Sequence, residues 1–141
     1  MALYLDASVI VATLVSEATS EVTRQFLFQA TEPMLVSSYT DAEVASALSR
    51  LVRMKTLTLD AARLTLTYFD DWRSAETMMI EVDDFDIVNA GDLVRQFELK
   101  LRTPDALHLA ICLRIGAQLV THDGGLAEAA IARGAVVIRP A

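Results

Sequence analysis

Among the residues able to do chemistry, four carboxylates stand out: Asp6, Glu43, Asp105 and Asp123 each lie where one element of a strand–helix alternation gives way to the next. A fold that gathers those junctions at one edge of a sheet gathers four acids with them. Two unit charges 4 Å apart at an effective dielectric of 20 repel by roughly 4 kcal/mol, so such a cluster either takes up protons or binds a cation. A divalent metal site held by Asp6, Glu43, Asp105 and Asp123 is the economical expectation. Each acid also has a local reading. Asp6 fits the N-cap of a helix beginning at Ala7. Thr40-Asp41-Ala42-Glu43 matches a capping box ahead of the apolar positions Val44, Leu48, Leu51 and Val52. Asp105 follows Pro104 in a first helical turn, where the macrodipole favours acids, and Asp123 opens the turn His122-Asp123-Gly124-Gly125. The two kinds of role do not compete, because the N–H groups that stabilise an acid at a helix start also keep it ionised for a metal.

The other polar residues nearby are less specific. His108, one turn after Asp105, is either a ligand or, as is more usual in an apolar run such as Leu107 to Leu113, hydrogen-bonded in place. His122 sits in a turn and takes no assignment. Neither histidine has the His-x-x-x-His or cysteine partnering of a zinc site, so Mg²⁺ or Mn²⁺, which prefer oxygen, is the expected ion. Ser8 and Thr121 either orient carboxylates or a metal-bound water, or make local turn hydrogen bonds. Arg50, Arg53, Lys55, Lys100 and Arg102 are either substrate-backbone contacts or solvated surface charges; at helical spacing Arg50 lies within about 20° of Glu43.

Positioning these residues falls to short apolar runs that read as buried strands at Leu3 to Leu5, Met34 to Val36, Met78 to Val82, Leu119 to Val120 and Val136 to Ile138, with helical periodicity between them. The alternation predicts an α/β fold with a mostly parallel sheet. In open parallel sheets sites form beyond the carboxyl ends of the strands, and Asp6 and Asp123 follow the first and fourth strands. Thr103-Pro104 is expected to open the Asp105 helix with a cap and an N1 proline, and Gly134 to stop the helical stretch Leu126 to Arg133. A helix over Leu59 to Trp72 carries apolar residues on two faces. Leu59, Ala62, Leu66 and Phe69 share one, and Ala61, Leu64, Tyr68 and Trp72 lie nearly opposite. The second face is either sandwiched within the fold or an interface, since large apolar patches are uncommon on monomers.

The chain of 141 residues, 53% hydrophobic, reads as one domain over 1–141 with no linker, repeat or charged tail. Val9 to Val15 is too short to span a bilayer and is preceded by Asp6 rather than a basic segment, so neither a signal peptide nor a membrane helix is expected, and a cytoplasmic location is. The single cysteine, Cys112, forms no internal disulfide and reads as a small core residue. A net charge of −7 argues against a broad basic surface that grips nucleic acid by phosphate contacts alone, whereas bound divalent ions would supply their own phosphate-attracting field.

At Tyr4-Leu5-Asp6-Ala7-Ser8, at Glu43 in the third helix, at Thr103-Pro104-Asp105-Ala106-Leu107-His108-Leu109-Ala110 and at Leu119-Val120-Thr121-His122-Asp123 the chain resembles PIN-domain ribonucleases, specifically the VapC-type toxins of bacterial and archaeal toxin–antitoxin pairs. Order, spacing and total length carry the resemblance over essentially the whole chain. It implies a three-layer α/β/α sandwich with a mostly parallel sheet of about five strands. It further implies the four acids on Mg²⁺ or Mn²⁺, and endonucleolytic hydrolysis of RNA by metal-activated water. Homodimerisation and inhibition by a small cognate antitoxin also follow from it. Many relatives carry an acidic or amide side chain just beyond the fourth acid; here Gly124 and Gly125 follow Asp123, so a second metal position lacks that donor. Two alternatives remain: a catalytically silent PIN-like interaction module, and a metal-dependent small-molecule phosphatase of the haloacid-dehalogenase kind. The latter needs a second Asp two residues after Asp6, where Ser8 stands.

Overall fold

The central strands are short and apolar on both faces, as strands covered on two sides by helices must be, while the edge run Thr77–Ile80 leaves Met78 and Met79 exposed. In the computed structural model, which describes residues 1–141, they are β1 (Leu3–Leu5), β2 (Met34–Ser37), β3 (Thr77–Ile80), β4 (Gln118–Val120) and β5 (Val137–Ile138). All pair in parallel in the order β3-β2-β1-β4-β5. The sequence places all five; β3 begins and ends earlier than the Met78 to Val82 expected, Glu81 and Val82 lying between it and the Asp83 cap of the next helix.

Seven helices connect the strands: α1 (Ala7–Leu14), α2 (Ser20–Gln29), α3 (Ser38–Arg53), α4 (Leu59–Glu76), α5 (Asp84–Arg95), α6 (Thr103–Ile115) and α7 (Gly124–Ala132). Alternate side chains of each strand face opposite layers. Tyr4, Leu35 and Leu119 pack with Ala90, Leu93, Ala106, Leu109, Ile111 and Leu126 of α5, α6 and α7. Leu3, Leu5, Val36 and Val120 pack with Val9, Ile10, Leu27, Val44, Leu48 and Phe69 of α1 to α4. The result is a three-layer α/β/α sandwich. Cys112 is buried in the first of these layers, its thiol held by the Ala117 carbonyl at 3.1 Å and pushed up to about 12 by burial.

Two helix starts differ from the capping expectations. α3 begins at Ser38 under an Ser37 cap, whose Oγ accepts the Thr40 N–H at 3.0 Å, so Glu43 lies in the second turn and makes no capping box with Thr40. The strand-to-helix turn is tighter than the pattern implied, and Ser37 meets the exposed N–H groups first. α6 begins at Thr103 after Arg102, which gives no side-chain cap, so Thr103 is itself the first helical residue and Pro104 the second. α4 runs on four residues past Trp72 to Glu76. Its two faces differ as expected along most of their length, Ala62 and Phe69 being buried with Leu66 beside them while Leu64 and Tyr68 are exposed, but Leu59, expected on the inner face, is exposed at the start of the helix. Trp72 is half-buried beside Phe69, so the second face is only partly covered by its own fold. No helix is long and apolar enough to cross a membrane.

Candidate active site

Strand order reverses direction of travel at β1, between β2 and β4, and there the connections leave toward opposite layers. A crevice therefore opens beyond the carboxyl ends of β1 and β4. Asp6 caps α1 directly after β1, and its backbone N–H is held by the Val120 carbonyl of β4 at 3.2 Å. Its carboxylate is almost wholly buried. Oδ1 accepts from the Ser8 hydroxyl at 2.6 Å and the Val9 N–H at 3.3 Å, and Oδ2 accepts from the Thr121 hydroxyl at 2.5 Å. Burial raises the proton affinity of Asp6 above the ordinary carboxylate range, against the opposing pull of the Ser8 and Thr121 hydrogen bonds. Of the two readings open for Ser8 and Thr121, carboxylate orientation is thus realised. Both also hold the neighbouring turn: the His122 N–H donates to Ser8 Oγ at 2.9 Å and the Asp123 N–H to Thr121 Oγ1 at 3.0 Å.

Asp123 caps α7, accepting the Leu126 N–H at 2.9 Å. Asp105 lies in the first turn of α6, where burial, then the charge of Asp123, and then that of Glu43 raise its proton affinity, while Arg102 and His108 pull the other way. Arg102 is a weak partner, with its Nε 4.0 Å from Asp105 Oδ2 and its side chain exposed to solvent. Three acids thus feel one another. Glu43 reaches across from α3 and accepts a hydrogen bond at Oε1 from His108 Nε2 of α6. Tyr39 sits over the same place, its ring centroid 5.2 Å from that of His108, and burial together with Glu43 and Asp105 raises its phenol.

Asp105 feels the charges of Asp123 and Glu43, and Asp6 joins them through Thr121, which bonds its carboxylate and accepts the Asp123 N–H, but no three acid or histidine side chains are close enough to grip a single ion as they stand. Asp6 is tied to Ser8, Val9 and Thr121, Asp123 to Leu126 of its helix, and Glu43 to His108. The donor set itself, all carboxylate oxygens with mutual repulsion to relieve, suits a hard divalent cation.

Two features escaped the sequence. Tyr4 supplies a hydroxyl at the base of the site, bonded to His108 Nδ1 at 2.7 Å and to Ser37 Oγ at 2.9 Å. The available signal was a phenol in the middle of an otherwise aliphatic buried strand, which requires a partner. His122, left without a role, bonds Thr23 Oγ1 through Nε2 at 2.7 Å and lines a cleft of about 430 Å³ beside Glu43, together with Ser8, Ser46, Arg50 and Arg53. Beyond Asp123, the position where a side chain on Gly124 would project is met by the Arg139 guanidinium at 3.7 Å. Arg139 Nη2 donates to the His122 carbonyl at 3.3 Å.

Residues 3–132 match the model of the PIN domain. The chain belongs to the PIN-domain family. It is 33% identical to ribonuclease VapC46 of Mycobacterium tuberculosis over 99% of this chain and 98% of that protein, which places it with the VapC group. Among solved structures, M. tuberculosis VapC20, a sarcin-ricin loop cleaving toxin, superposes with a TM-score of 0.77 at 20% identity, covering 99% of this chain and 100% of that one. The DNA-bound VapBC complex of Salmonella typhimurium gives 0.75 at 17% identity, covering 100% and 99%. As a PIN-domain protein, the chain has the three-layer fold those structures share.

Proposed function

We propose that this PIN-domain protein is the toxin of a VapBC-type pair, a Mg²⁺- or Mn²⁺-dependent endoribonuclease whose site is Asp6, Glu43, Asp105 and Asp123. The observation that carries this reading is Asp105, whose proton affinity is raised by burial and by the charges of Asp123 and Glu43 beside it. Acids crowded in this way outside any cation favour an ion that relieves them. Asp6 and Asp105 are the chief holders of the ion, with Glu43 and Asp123 completing the site directly or through water. When bound, the ion supplies Lewis acidity toward a phosphoryl oxygen and lowers the pKa of water at the site.

The chain's own residues then do three things. Ser8 and Thr121 aim the buried Asp6 carboxylate; a carboxylate of the set accepts the proton of the attacking water; and Arg50, Arg53 and His122 line the adjoining cleft where the RNA backbone runs. Arg50 and Arg53 make no ion pair with a carboxylate, and Arg53 gives one donor, Nη1, to Ser49 Oγ at 2.6 Å, so guanidinium donors remain for phosphate. Cleavage by in-line hydrolysis leaves a 5′-phosphate and a 3′-hydroxyl, without a covalent enzyme intermediate. The family match sets aside the phosphatase alternative.

A small cognate antitoxin is the proposed partner, since structural neighbours include toxin–antitoxin complexes. Its seat is a groove of about 850 Å³ between α2 and α4, floored by Leu14, Leu27, Met34 and Trp72 and flanked by the exposed Tyr68 and Phe28. A second copy of the chain is proposed to cover Phe85, Ile87 and Val88, which α5 leaves exposed.

The test is incubation of the purified protein, free of any partner, with total cellular RNA and Mg²⁺ or Mn²⁺. Discrete cleavage that disappears with EDTA and in Asp105→Asn is expected. Cleavage that persists in either control contradicts the assignment; a folded protein that cuts nothing with any metal favours the interaction-module reading.

A further inference from the structure

We propose that His108, buttressed by Tyr4, is a positioning residue for Glu43 and not a metal ligand, an inference that rests on the nuclease reading above. His108 is 3% exposed and both ring nitrogens are engaged, Nδ1 with the Tyr4 hydroxyl at 2.7 Å and Nε2 with Glu43 Oε1. No nitrogen lone pair is left for a cation. An ionised carboxylate only accepts, so Nε2 carries the proton given to Glu43. In the neutral ring Nδ1 then accepts from the Tyr4 hydroxyl, whose oxygen accepts from Ser37 Oγ at 2.9 Å, and Ser37 Oγ accepts the Thr40 N–H at 3.0 Å. Every donor in this chain points toward Glu43.

The same network ties together the elements that carry the acids. Thr40 Oγ1 donates at 3.2 Å to the carbonyl of Leu5, the residue before Asp6; Ser37, Thr40 and Glu43 belong to the start of α3; and His108 stands one turn beyond Asp105 on α6. With Oε1 held by His108, Glu43 has Oε2 left for the ion or for a water on it. Without that hold, the carboxylate of a long, partly exposed side chain is free to turn into the adjoining cleft toward Arg50. Tyr4, fully buried and fixed on the central strand, is the rigid end of the strut.

The role separates from mere core filling by what restores it. A glutamine at 108 can present an amide N–H where Nε2 stands; an asparagine reaches only the place of Nδ1. Mn²⁺ affinity, read from free Mn²⁺ by electron paramagnetic resonance, is measured for wild type, His108→Asn, His108→Gln, Tyr4→Phe and Asp105→Asn, alongside thermal unfolding and the kcat and KM of RNA cleavage. Loss of a partner that orients a ligand costs about 10- to 100-fold in metal affinity. His108→Asn is expected to fall in that range with kcat reduced and KM little changed, and His108→Gln to recover most of the affinity. Tyr4→Phe, which removes only the hydroxyl, is expected to weaken Mn²⁺ severalfold and decides the matter if His108→Asn does not fold. Wild-type Mn²⁺ affinity in folded His108→Asn or Tyr4→Phe, with Asp105→Asn impaired, overturns the positioning role and leaves the metal site standing. Undiminished affinity in Asp105→Asn as well overturns the metal reading itself.

Discussion

Asp6 shows how one residue answers two demands. Its burial works against its charge, and the Ser8 and Thr121 hydroxyls offset that cost while fixing the orientation of its carboxylate. Thr121→Val removes the shorter of these bonds and also the acceptor of the Asp123 N–H, so it is expected to weaken metal-dependent cleavage about 10-fold or more, measured as kcat/KM. Asp105→Asn is expected to abolish cleavage while raising the metal-free melting temperature. The sign follows from the direction of its shift. A carboxyl whose folded pKa is raised holds protons that the unfolded chain gives up, so its contribution to stability falls as pH rises from the ordinary value of 3.8 through the folded one. Melting of wild type and Asp105→Asn across pH 4 to 8 checks this, with a gap that opens as pH rises. Asp6, Asp105 and Asp123 stand out in the sequence because each sits at a helix start, where type and position are both informative, whereas Glu43 lies a turn inside α3 and the capping-box pattern that marked it does not form. Tyr4 does not stand out, because nothing in the Leu3-Tyr4-Leu5 run reveals that its hydroxyl meets a histidine 104 positions away.

At the scale of elements, strands read from sequence almost to the residue, since burial on both faces demands unbroken apolar runs. Helix starts read less well. The capping box expected at Thr40 does not form because Ser37, one residue past the expected strand and the last of β2, is the cap, and Thr40 is drawn instead to the Leu5 carbonyl. The far end of α3 carries a testable strain. Thr56 N–H bonds the Leu51 carbonyl at 2.9 Å and Lys55 N–H that of Val52 at 3.0 Å, the paired bonds of a Schellman stop, yet the left-handed residue is Lys55 at φ 59°. Lys55→Gly is expected to stabilise the protein by about 1 kcal/mol in urea unfolding. On α5, Asp86 is fully buried; burial would raise its carboxyl, but two hydrogen bonds from Arg114 and one from the Asp83 N–H hold it below 3.8. Its stabilisation is therefore complete above that pH and lost as pH falls through the lower folded value. Arg114→Met, which strands a buried charge, is expected to cost roughly 3 kcal/mol at neutral pH by denaturant unfolding.

The whole molecule combines a net charge of −7 with the coupled acids Asp105, Asp123 and Glu43 and uncovered apolar surface at α2–α4 and at α5. The two-faced periodicity of α4 left the first of these open between a face covered by the fold and an interface; α5 was not foreseen, because its exposed Phe85, Ile87 and Val88 lie beside buried Asp86 and break the amphipathic pattern. If a second copy covers this face as proposed, Val88→Glu is expected to lower the mass read by light scattering without loss of fold, and an unchanged mass would move the second copy elsewhere. The claim on which the rest depends is that the four acids close on one kind of ion. Crystals soaked in Mn²⁺ and measured at an anomalous wavelength test it most directly. The account predicts a peak ligated by Asp6 and Asp105, with Glu43 and Asp123 bound to it directly or through water and His108 still bonded to Glu43. A peak away from these carboxylates, or none in crystals of a protein that still cuts RNA, would contradict it.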